Sequence, residues 1–325
     1  MALLELLADG RFHSGQRLAE QMGVSRTAVW KRLQGLQQRY GLRVDAVRGR
    51  GYRLAGPLDL LDSQQIRDHL SPLAAQSLSD VSVTMATAST NESALQTPPE
   101  GVGAGRVWMA EYQHAGRGRR GRTWHSVFGG NLSLSLAWRF DLPIADLAGL
   151  SLAAGVVLAE TLRDQGLSGH TLKWPNDILV ADRKLAGILV EASGEATGPA
   201  VGVIGLGLNL RMPDASGAGI DQPWTDLARA GVELRSRNRF AATLVSALAE
   251  ACTLYQSKQL QPFLSRWEGF DHCRNRRVRL IGGSGTTVGI CRGIASSGAL
   301  LLETDEGCRE FRAGEISLRP VGDNA

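Results

Sequence analysis

A break at Gly56-Pro57 divides this chain of 325 residues into a short basic segment and a long, nearly neutral body. Residues 1–53 hold ten Lys/Arg against four Asp/Glu, a net charge of +6, whereas the whole chain carries +4. Because Gly and Pro in succession interrupt both helices and strands, we place a linker at 55–62. The sequence therefore predicts separate domains on the two sides of this linker, and the basic one is expected to bind a polyanion.

The basic segment has the pattern of a winged helix-turn-helix. Ser25 is typical of a helix N-cap, and the helix predicted at 26–38 places Val29 and Leu33 on one face. A short helix before it completes a helix-turn-helix, and the pattern at 42–54 predicts two strands joined by an Arg/Gly tip, a wing. The residues predicted to contact DNA are Arg26, Thr27 and Lys31 on the helix and Arg48 and Arg50 on the wing.

The body alternates strand and helix patterns, which predicts an α+β domain with helices on one face of a mixed sheet. In LSLSLAW at 132–138 the strict alternation predicts one core face and one polar face. From about Arg274 short strands separated by GGSG, SSG and DEG predict a small β-barrel. The predicted domains are 1–60, 61–271 and 272–325.

Composition excludes several classes of protein. A hydrophobic content of 43% with 21% charged residues excludes a disordered chain. The four cysteines, at positions 252, 273, 291 and 308, are too far apart for CxxC pairs and are typical of reduced thiols in a cytoplasm. The start lacks a basic signal region, and the most apolar stretch, 147–159, is shorter than the ~20 residues of a membrane span. We therefore expect a soluble cytoplasmic protein without a membrane partner.

The string GRGRRGRTW at 116–124 is the most unusual in the chain. It satisfies the GxGxxG pattern of dinucleotide-binding turns, but the continuation has no helical period and so brings no helix N-terminus to a pyrophosphate. We expect a loop whose guanidinium groups and backbone amides surround phosphate or carboxylate oxygens. The alternative, a solvated basic loop, is disfavoured because no acid stands between Glu111 and Asp141.

Two further strings carry polar groups suited to a ligand. KWPND at 173–177 predicts a rigid turn that ends in Asn176 and Asp177, an amide and a carboxylate suited to a sugar, adenine or magnesium. Lys184 follows at a strand-to-strand turn, where a lysine is usually solvent-exposed, and is a candidate for neutralising an anionic group. STNE at 89–92 is either a simple capping box or a set of exposed hydroxyl and amide groups that bind a neutral polar ligand.

Together, GRGRRGRTW, KWPND with DRKLAGILVE, and STNE before a helix resemble the biotin protein ligases. With the helix-turn-helix in front, the chain resembles the bifunctional bacterial form, which also represses the biotin operon. The resemblance runs from about residue 12 to 320 and implies a winged helix, a central mixed-sheet domain shared in fold with lipoate ligases, and a C-terminal SH3-like barrel. It further implies ATP and Mg²⁺ as cofactors and biotin as substrate. The implied partners are a biotin carboxyl carrier protein, operator DNA and, once biotinyl-5'-AMP is bound as corepressor, a second copy of the chain.

The resemblance also assigns site residues one by one. Lys184 and Arg119 would be catalytic by offsetting negative charge, and Asp177 is a candidate metal ligand. The residues that would bind biotin are Ser89, Thr90, Asn91, Gln113, Gly116, Arg117, Gly118, Arg119, Trp124 and Lys184. The residues near the nucleotide would be Arg122, Asn176, Asn209 and Trp224. Two alternatives remain, a non-catalytic biotin-sensing repressor and a ligase for lipoate or a related acyl group.

Overall fold

The computed structural model describes residues 2–217, 219–282, 285–313 and 317–320. The first part of the chain packs α1 (Ala2–Leu7), α2 (Gly15–Met22) and α3 (Arg26–Tyr40) with a hairpin of β1 (Val44–Val47) and β2 (Gly51–Leu54). Ser25 caps α3 by accepting a hydrogen bond from the Ala28 amide at 3.2 Å, as predicted. The predicted helix-turn-helix with a wing is confirmed.

The central part is built around a seven-stranded mixed sheet in the order β3-β4-β5-β9-β8-β7-β6. Its helices are α4 (Ser63–Asp68), α5 (Pro72–Ser77), α6 (Thr90–Gln96), α7 (Leu150–Asp164), α8 (Arg237–Lys258) and α9 (Gln261–Glu268). Its strands are β3 (Leu78–Thr87), β4 (Gly105–Gln113), β5 (Asn131–Phe140), β6 (His170–Lys173), β7 (Asp177–Val180), β8 (Arg183–Gly194) and β9 (Ala200–Asn209). β3 and β4 run parallel with α6 between them in sequence, and the remaining neighbours are antiparallel, which confirms the mixed sheet.

Helices cover both faces of this sheet, so the prediction that they lie on one face is wrong. Along β5, Leu132, Leu134 and Leu136 alternate into the main core, against which α7 and α8 pack. The opposite face is covered by α6, which packs on β4, β5 and β9. Ser133 and Ser135 are therefore buried as well, because this short helix shields the polar face from water.

α7 is a core helix. With the 3₁₀ turn before it, α7 forms the segment Ile144–Asp164, which is long and apolar enough to span a membrane by length and composition alone. This segment is longer than the apolar stretch at 147–159 that the sequence indicated. In the folded chain 67% of the most apolar 18-residue stretch of this segment is buried. Its apolar character is accounted for by packing between the sheet and α8.

The C-terminal part forms a five-stranded antiparallel sheet in the order β13-β12-β11-β10-β14. Its strands are β10 (Arg277–Gly282), β11 (Gly285–Ile294), β12 (Leu300–Thr304), β13 (Gly307–Phe311) and β14 (Ser317–Pro320). A bulge between Cys291 and Gly293 bends the long β11, which curves the sheet. The small all-β domain predicted at this end is confirmed.

The segment predicted as a linker is held firmly against the central part. The Leu61 amide donates to Glu111 at 2.5 Å, and the Arg237 guanidinium donates to the Asp59 carbonyl at 2.6 Å and to Glu111 at 3.0 Å. Glu111 and Arg237 are both buried. An interior ion pair thus fixes the chain where it enters the central sheet.

Candidate active site and DNA-contacting surface

A cavity lies between the N-terminus of α6, the strands β8 and β9, and the arginine-rich loop at 116–124. It brings together most of the side chains that the sequence assigned to one site. These lining residues are Ser89, Thr90, Asn91, Gln113, Arg117, Gly118, Arg119, Arg122, Trp124, Asn176, Asp177 and Lys184.

One end of the cavity is neutral and hydrogen-bonded. The Gln113 side-chain oxygen accepts from the Thr90 amide at 2.8 Å and the Thr90 hydroxyl at 3.1 Å, and its amide group donates to Ser133 at 3.1 Å. The Ser135 hydroxyl donates to Asn91 Oδ1 at 2.6 Å and lies 2.7 Å from the Thr90 hydroxyl. This network fixes the side chains in place, so the wall is preorganised for a neutral polar ligand.

The first turn of α6 is not the exposed capping box that its sequence allows. Ser89 occupies the N-cap position but makes no side-chain capping hydrogen bond. Ser89, Thr90 and Asn91 are only 3–4% exposed, so the expectation that these groups are exposed is wrong. They are buried because α6 lies directly on the sheet, and they line the cavity instead of capping the helix.

The arginine-rich loop closes on itself over the cavity. Arg117 and Thr123 form an antiparallel bridge, and a 3₁₀ turn at Arg119–Gly121 makes the tip. The Arg117 guanidinium pairs with Glu191 at 3.3 Å. No α-helix begins within this fully described segment, so the dinucleotide-binding interpretation is excluded, as predicted.

The other end of the cavity is cationic. Lys184 Nζ lies 2.8 Å from Asp177 Oδ1, with the two side chains 16% and 19% exposed. The Arg119 guanidinium donates to Asn176 Oδ1 at 3.4 Å and to the carbonyl of Ala313 in the C-terminal sheet domain. Burial lowers the pKa of Arg119, and the Asp177 carboxylate opposes that shift. An arginine keeps its charge even so, which leaves this end suited to an anion.

Two glycines of β9 form the floor, and the sequence analysis missed them. A Cβ on Gly207 would overlap the Trp124 ring, and one on Gly205 would overlap the Asn91 amide. The Trp124 indole therefore lies directly on the strand, 6.0 Å from Lys184 Nζ. The alternation of glycine at 205 and 207 was the available signal, since glycine within a strand often marks a close approach.

Three assigned residues lie outside the cavity wall. Gly116 begins the loop, and its carbonyl accepts from the Trp124 amide at 2.8 Å. Asn209 is buried, donates to the Thr225 carbonyl at 2.9 Å and accepts from Asn131 at 2.9 Å. Trp224 forms a backbone bridge with Lys184, while its ring stacks under the Arg229 guanidinium at 4.0 Å. The nucleotide contacts of Asn209 and Trp224 stay predictions.

The residues predicted to contact DNA lie on a separate surface. Arg26, Thr27 and Lys31 are exposed on α3, the helix whose buried residues are Val29 and Leu33. Arg48 and Arg50 are exposed on the wing, where the Arg50 guanidinium lies 4.2 Å from the centre of a phenylalanine ring. The helix and the wing thus each present exposed cationic side chains.

Comparison with known proteins gives matches along the chain. The family models that match are the Biotin/lipoate A/B protein ligase family over residues 83–209, an HTH domain over 1–53 and the biotin protein ligase C terminal domain over 275–319. The bifunctional ligase/repressor BirA of Escherichia coli is 44% identical over 319 residues, 98% of this chain and 97% of that protein. The corresponding protein of Bacillus subtilis is 33% identical over 323 residues, 97% of each. Among solved structures, biotin protein ligase from Aquifex aeolicus in complex with biotin and ATP has a TM-score of 0.63 and 25% identity, covering 75% of this chain and 100% of that one.

Proposed function

Since the chain belongs to the biotin protein ligases of the bifunctional ligase/repressor type, we propose that it activates biotin with ATP and passes it to a carrier protein. The acceptor would be a lysine of a biotin carboxyl carrier protein such as the carrier subunit of acetyl-CoA carboxylase. The same chain would bind operator DNA as a repressor of biotin synthesis.

The observation that carries the ligase proposal is the division of the cavity into a neutral end and a cationic end. Biotin has a neutral ureido ring at one end and a carboxylate at the other. Thr90 and Gln113 lie at the neutral end, and Lys184 lies at the cationic end. The cavity therefore matches the polarity of biotin along its length.

The first step joins two anions, so offsetting charge is its main requirement. An oxygen of the biotin carboxylate attacks the α-phosphorus of ATP, the bond to the β-phosphate breaks, and pyrophosphate leaves. Arg119 and Lys184 would stabilise the charge on the carboxylate and phosphate oxygens. In the second step a neutral lysine amine of the carrier attacks the acyl carbon, which forms an amide and releases AMP and a proton.

Magnesium would reach this site with ATP. The described residues contain no group of three His, Cys, Asp or Glu side chains able to hold a metal ion. Mg²⁺ is commonly held by one or two carboxylates together with substrate phosphates, which fits the single carboxylate of Asp177. Asp177 would supply the protein ligand, and the ion would offset charge on the polyphosphate.

The intermediate, a mixed anhydride, must be kept from water. The glycines of the loop at 116–124 allow that segment to close over the cavity, and its Arg117–Glu191 pair would hold it closed. A ligand that orders this loop would also remove part of the entropy cost of forming a dimer. We therefore place biotinyl-5'-AMP as the corepressor that promotes a homodimer on a near-palindromic operator.

The cytoplasm is the compartment that fits this function, since ATP and the carrier protein are found there. The four cysteines are free thiols, as they would be in a reducing compartment. Burial raises the pKa of Cys291 to about 11, which makes that thiol unreactive.

The ligase proposal is tested by incubating the protein with ATP, Mg²⁺, an acceptor domain and labelled biotin, with labelled lipoate as the matched control. We expect label on the acceptor with biotin only. Label with lipoate alone would identify a lipoate ligase, and no label with either would leave a biotin-sensing repressor. Sedimentation with and without a non-hydrolysable adenylate analogue tests the corepressor, because an unchanged mass and DNA affinity would contradict the proposed coupling.

A further inference from the structure

Trp30 lies on the surface of α3, and the functions assigned so far give it no role. Its side chain is 47% exposed, whereas the other six tryptophans, all within the described residues, are buried or half-buried. An indole carries a large apolar area, so covering it with a partner would be favourable. The ring is therefore a candidate contact for whatever binds this face of the helix.

The surface around Trp30 is cationic. Arg26 and Lys31, four residues before and one residue after Trp30 on α3, are both exposed, and no Asp or Glu occurs between Glu20 and Asp45 in the sequence. The wing of the same domain adds further exposed arginines. This charge favours a polyanion, and a DNA duplex is the polyanion that a helix-turn-helix is shaped to bind.

Trp30 lies in the part of the helix that reads the DNA sequence in helix-turn-helix proteins. It lies in the second turn of α3, where it is exposed although Val29 beside it and Leu33 one turn later are buried. In helix-turn-helix proteins the N-terminal residues of this helix contact base edges in the major groove, while neighbouring cations hold phosphates. An indole has no charge with which to hold a phosphate, but its face fits the apolar C5-methyl group that thymine presents in that groove.

We propose that Trp30 is a specificity-determining residue that selects thymine at one position of each DNA half-site by covering the thymine methyl group. This inference rests on the proposed DNA-binding function. Lys31, directly beside it, holds phosphate and contributes affinity without sequence preference. The two neighbouring side chains thus have separable effects on sequence selection and on salt dependence.

The test is selection from a random duplex library by the full-length protein in the presence of biotin, ATP and Mg²⁺. Trp30→Ala, Trp30→Phe and Lys31→Gln are compared with the unaltered protein. We expect the unaltered protein and Trp30→Phe to select thymine at the same position, and Trp30→Ala to lose the preference at that position only. Lys31→Gln should keep the selected sequence, bind all sequences more weakly, and lower the slope of affinity against salt by about one.

A second measurement isolates the methyl group. Replacing the selected thymine with deoxyuridine removes that group and nothing else. The unaltered protein should then bind about fourfold more weakly, the effect of losing one buried methyl group. Trp30→Ala should bind the two duplexes equally, and its circular dichroism spectrum checks that it is folded.

The outcomes separate this inference from the function on which it rests. If Trp30→Ala selects the same sequence as the unaltered protein with no loss at any position, or if deoxyuridine has no effect on the unaltered protein, the inference is wrong while DNA binding stands. If Trp30→Ala changes the sedimenting mass but not the selected sequence, another protein surface covers the ring and the inference is wrong. If the unaltered protein enriches no sequence, the proposed repressor function is wrong too.

Discussion

Lys184 lies in a nearly enclosed place with a carboxylate beside it. An isolated ammonium would be costly to remove from water, and the Asp177 oxygen 2.8 Å away offsets that cost. The pair lies at the strand pairing of β7 and β8, so its position is fixed before any ligand binds. An incoming carboxylate or phosphate then finds the ammonium already oriented and adds to, or displaces, the Asp177 contact.

The charge-offset mechanism predicts that Lys184→Ala and Arg119→Ala nearly abolish adenylate formation. Each removes one cation from a reaction between two anions, and losing one such group in a preorganised site typically lowers the rate about 100- to 1000-fold. Pyrophosphate release measures the rate. Lys258→Ala, at an exposed lysine at the end of α8, is the matched control and should keep the unaltered rate. Near-normal release in either site variant would contradict the assignment.

The glycine floor predicts that Gly207→Ala impairs biotin binding while leaving the fold intact. The added methyl group would displace the Trp124 ring, and an aromatic wall contributes about 1.5 kcal/mol of apolar contact, or roughly tenfold in KM for biotin. Gly202→Ala on the same strand is the matched control. Its Cβ would lie 2.9 Å from a Leu150 side-chain carbon in the main core. Its free energy of unfolding should therefore fall by about 1–3 kcal/mol, without the change in KM for biotin. An unaltered KM in Gly207→Ala would show that Trp124 is not part of the biotin site.

At the residue scale, the sequence identified the charged groups of the site but not the surfaces that hold them. Arg119 and Lys184 stand in strings with unusual charge, which are visible without a structure. The position of the partner carboxylate Glu191 depends on the register between β8 and β9, and the contact between Gly207 and Trp124 depends on how the loop folds over β9; no single string contains either. The same limit applies to Trp224, whose ring is turned toward Arg229 by contacts from other segments.

At the scale of elements, a buried ion pair links the second strand of the central part to the longest described helix. Glu111 on β4 pairs with Arg237 at the start of α8 at 3.0 Å, and both side chains are nearly inaccessible. Arg237 also donates to the Asn131 carbonyl at the start of β5 at 3.0 Å. Three elements and the linker therefore meet at the Arg237 guanidinium. Because this group is buried, water does not replace a partner that is lost.

Glu111→Ala should destabilise the central domain strongly. Removing one member of a buried pair leaves the other charge uncompensated and typically costs about 3–5 kcal/mol. Urea unfolding gives the free energy. Glu233→Ala is the matched control, because Glu233 pairs with Arg211 at 2.7 Å but both side chains are more than 70% exposed, and such a pair contributes about 1 kcal/mol or less. Equal effects of the two substitutions would mean that water reaches the Glu111 pair.

The elements that the sequence predicted well are the long or strongly periodic ones. α3, predicted at 26–38, and the alternating β5 follow from patterns that persist over several turns or residues. α6 was placed correctly as a helix, but a segment of seven residues is too short to show which face of the sheet it covers. The ordered linker was missed for a similar reason, because its partner Arg237 lies 178 residues from Asp59.

At the scale of the whole molecule, the DNA-binding part and the ligase part share an apolar contact. Tyr40, the last residue of α3, packs with ring centroids 4.9 Å from Phe128 and 5.5 Å from Tyr112 of the central part. Phe128 is only 4% exposed and follows closely after the arginine-rich loop. The DNA-binding part and the ligase part are therefore in direct contact, although their functional surfaces are distinct.

Removing the DNA-binding part should abolish specific DNA binding and leave adenylate formation. The loss of thermal stability should depend on where the chain is cut. Deleting residues 1–57 keeps Asp59, which accepts from the Arg237 amide and guanidinium at 2.6 Å each, whereas deleting 1–60 removes both hydrogen bonds. Hydrogen bonds to charged groups contribute about 1.5–3 kcal/mol each, and one kcal/mol shifts the unfolding midpoint of a domain of this size by roughly 2–4 °C. The 1–60 deletion should therefore melt at least about 6 °C below the 1–57 deletion, while both lack Tyr40 and expose Phe128 alike. Differential scanning fluorimetry, pyrophosphate release and DNA anisotropy measure the three properties on the same samples. A 1–57 deletion that cannot form the adenylate would show that the DNA-binding part completes the ligase site, and equal melting of the two deletions would show that Asp59 does not anchor the linker.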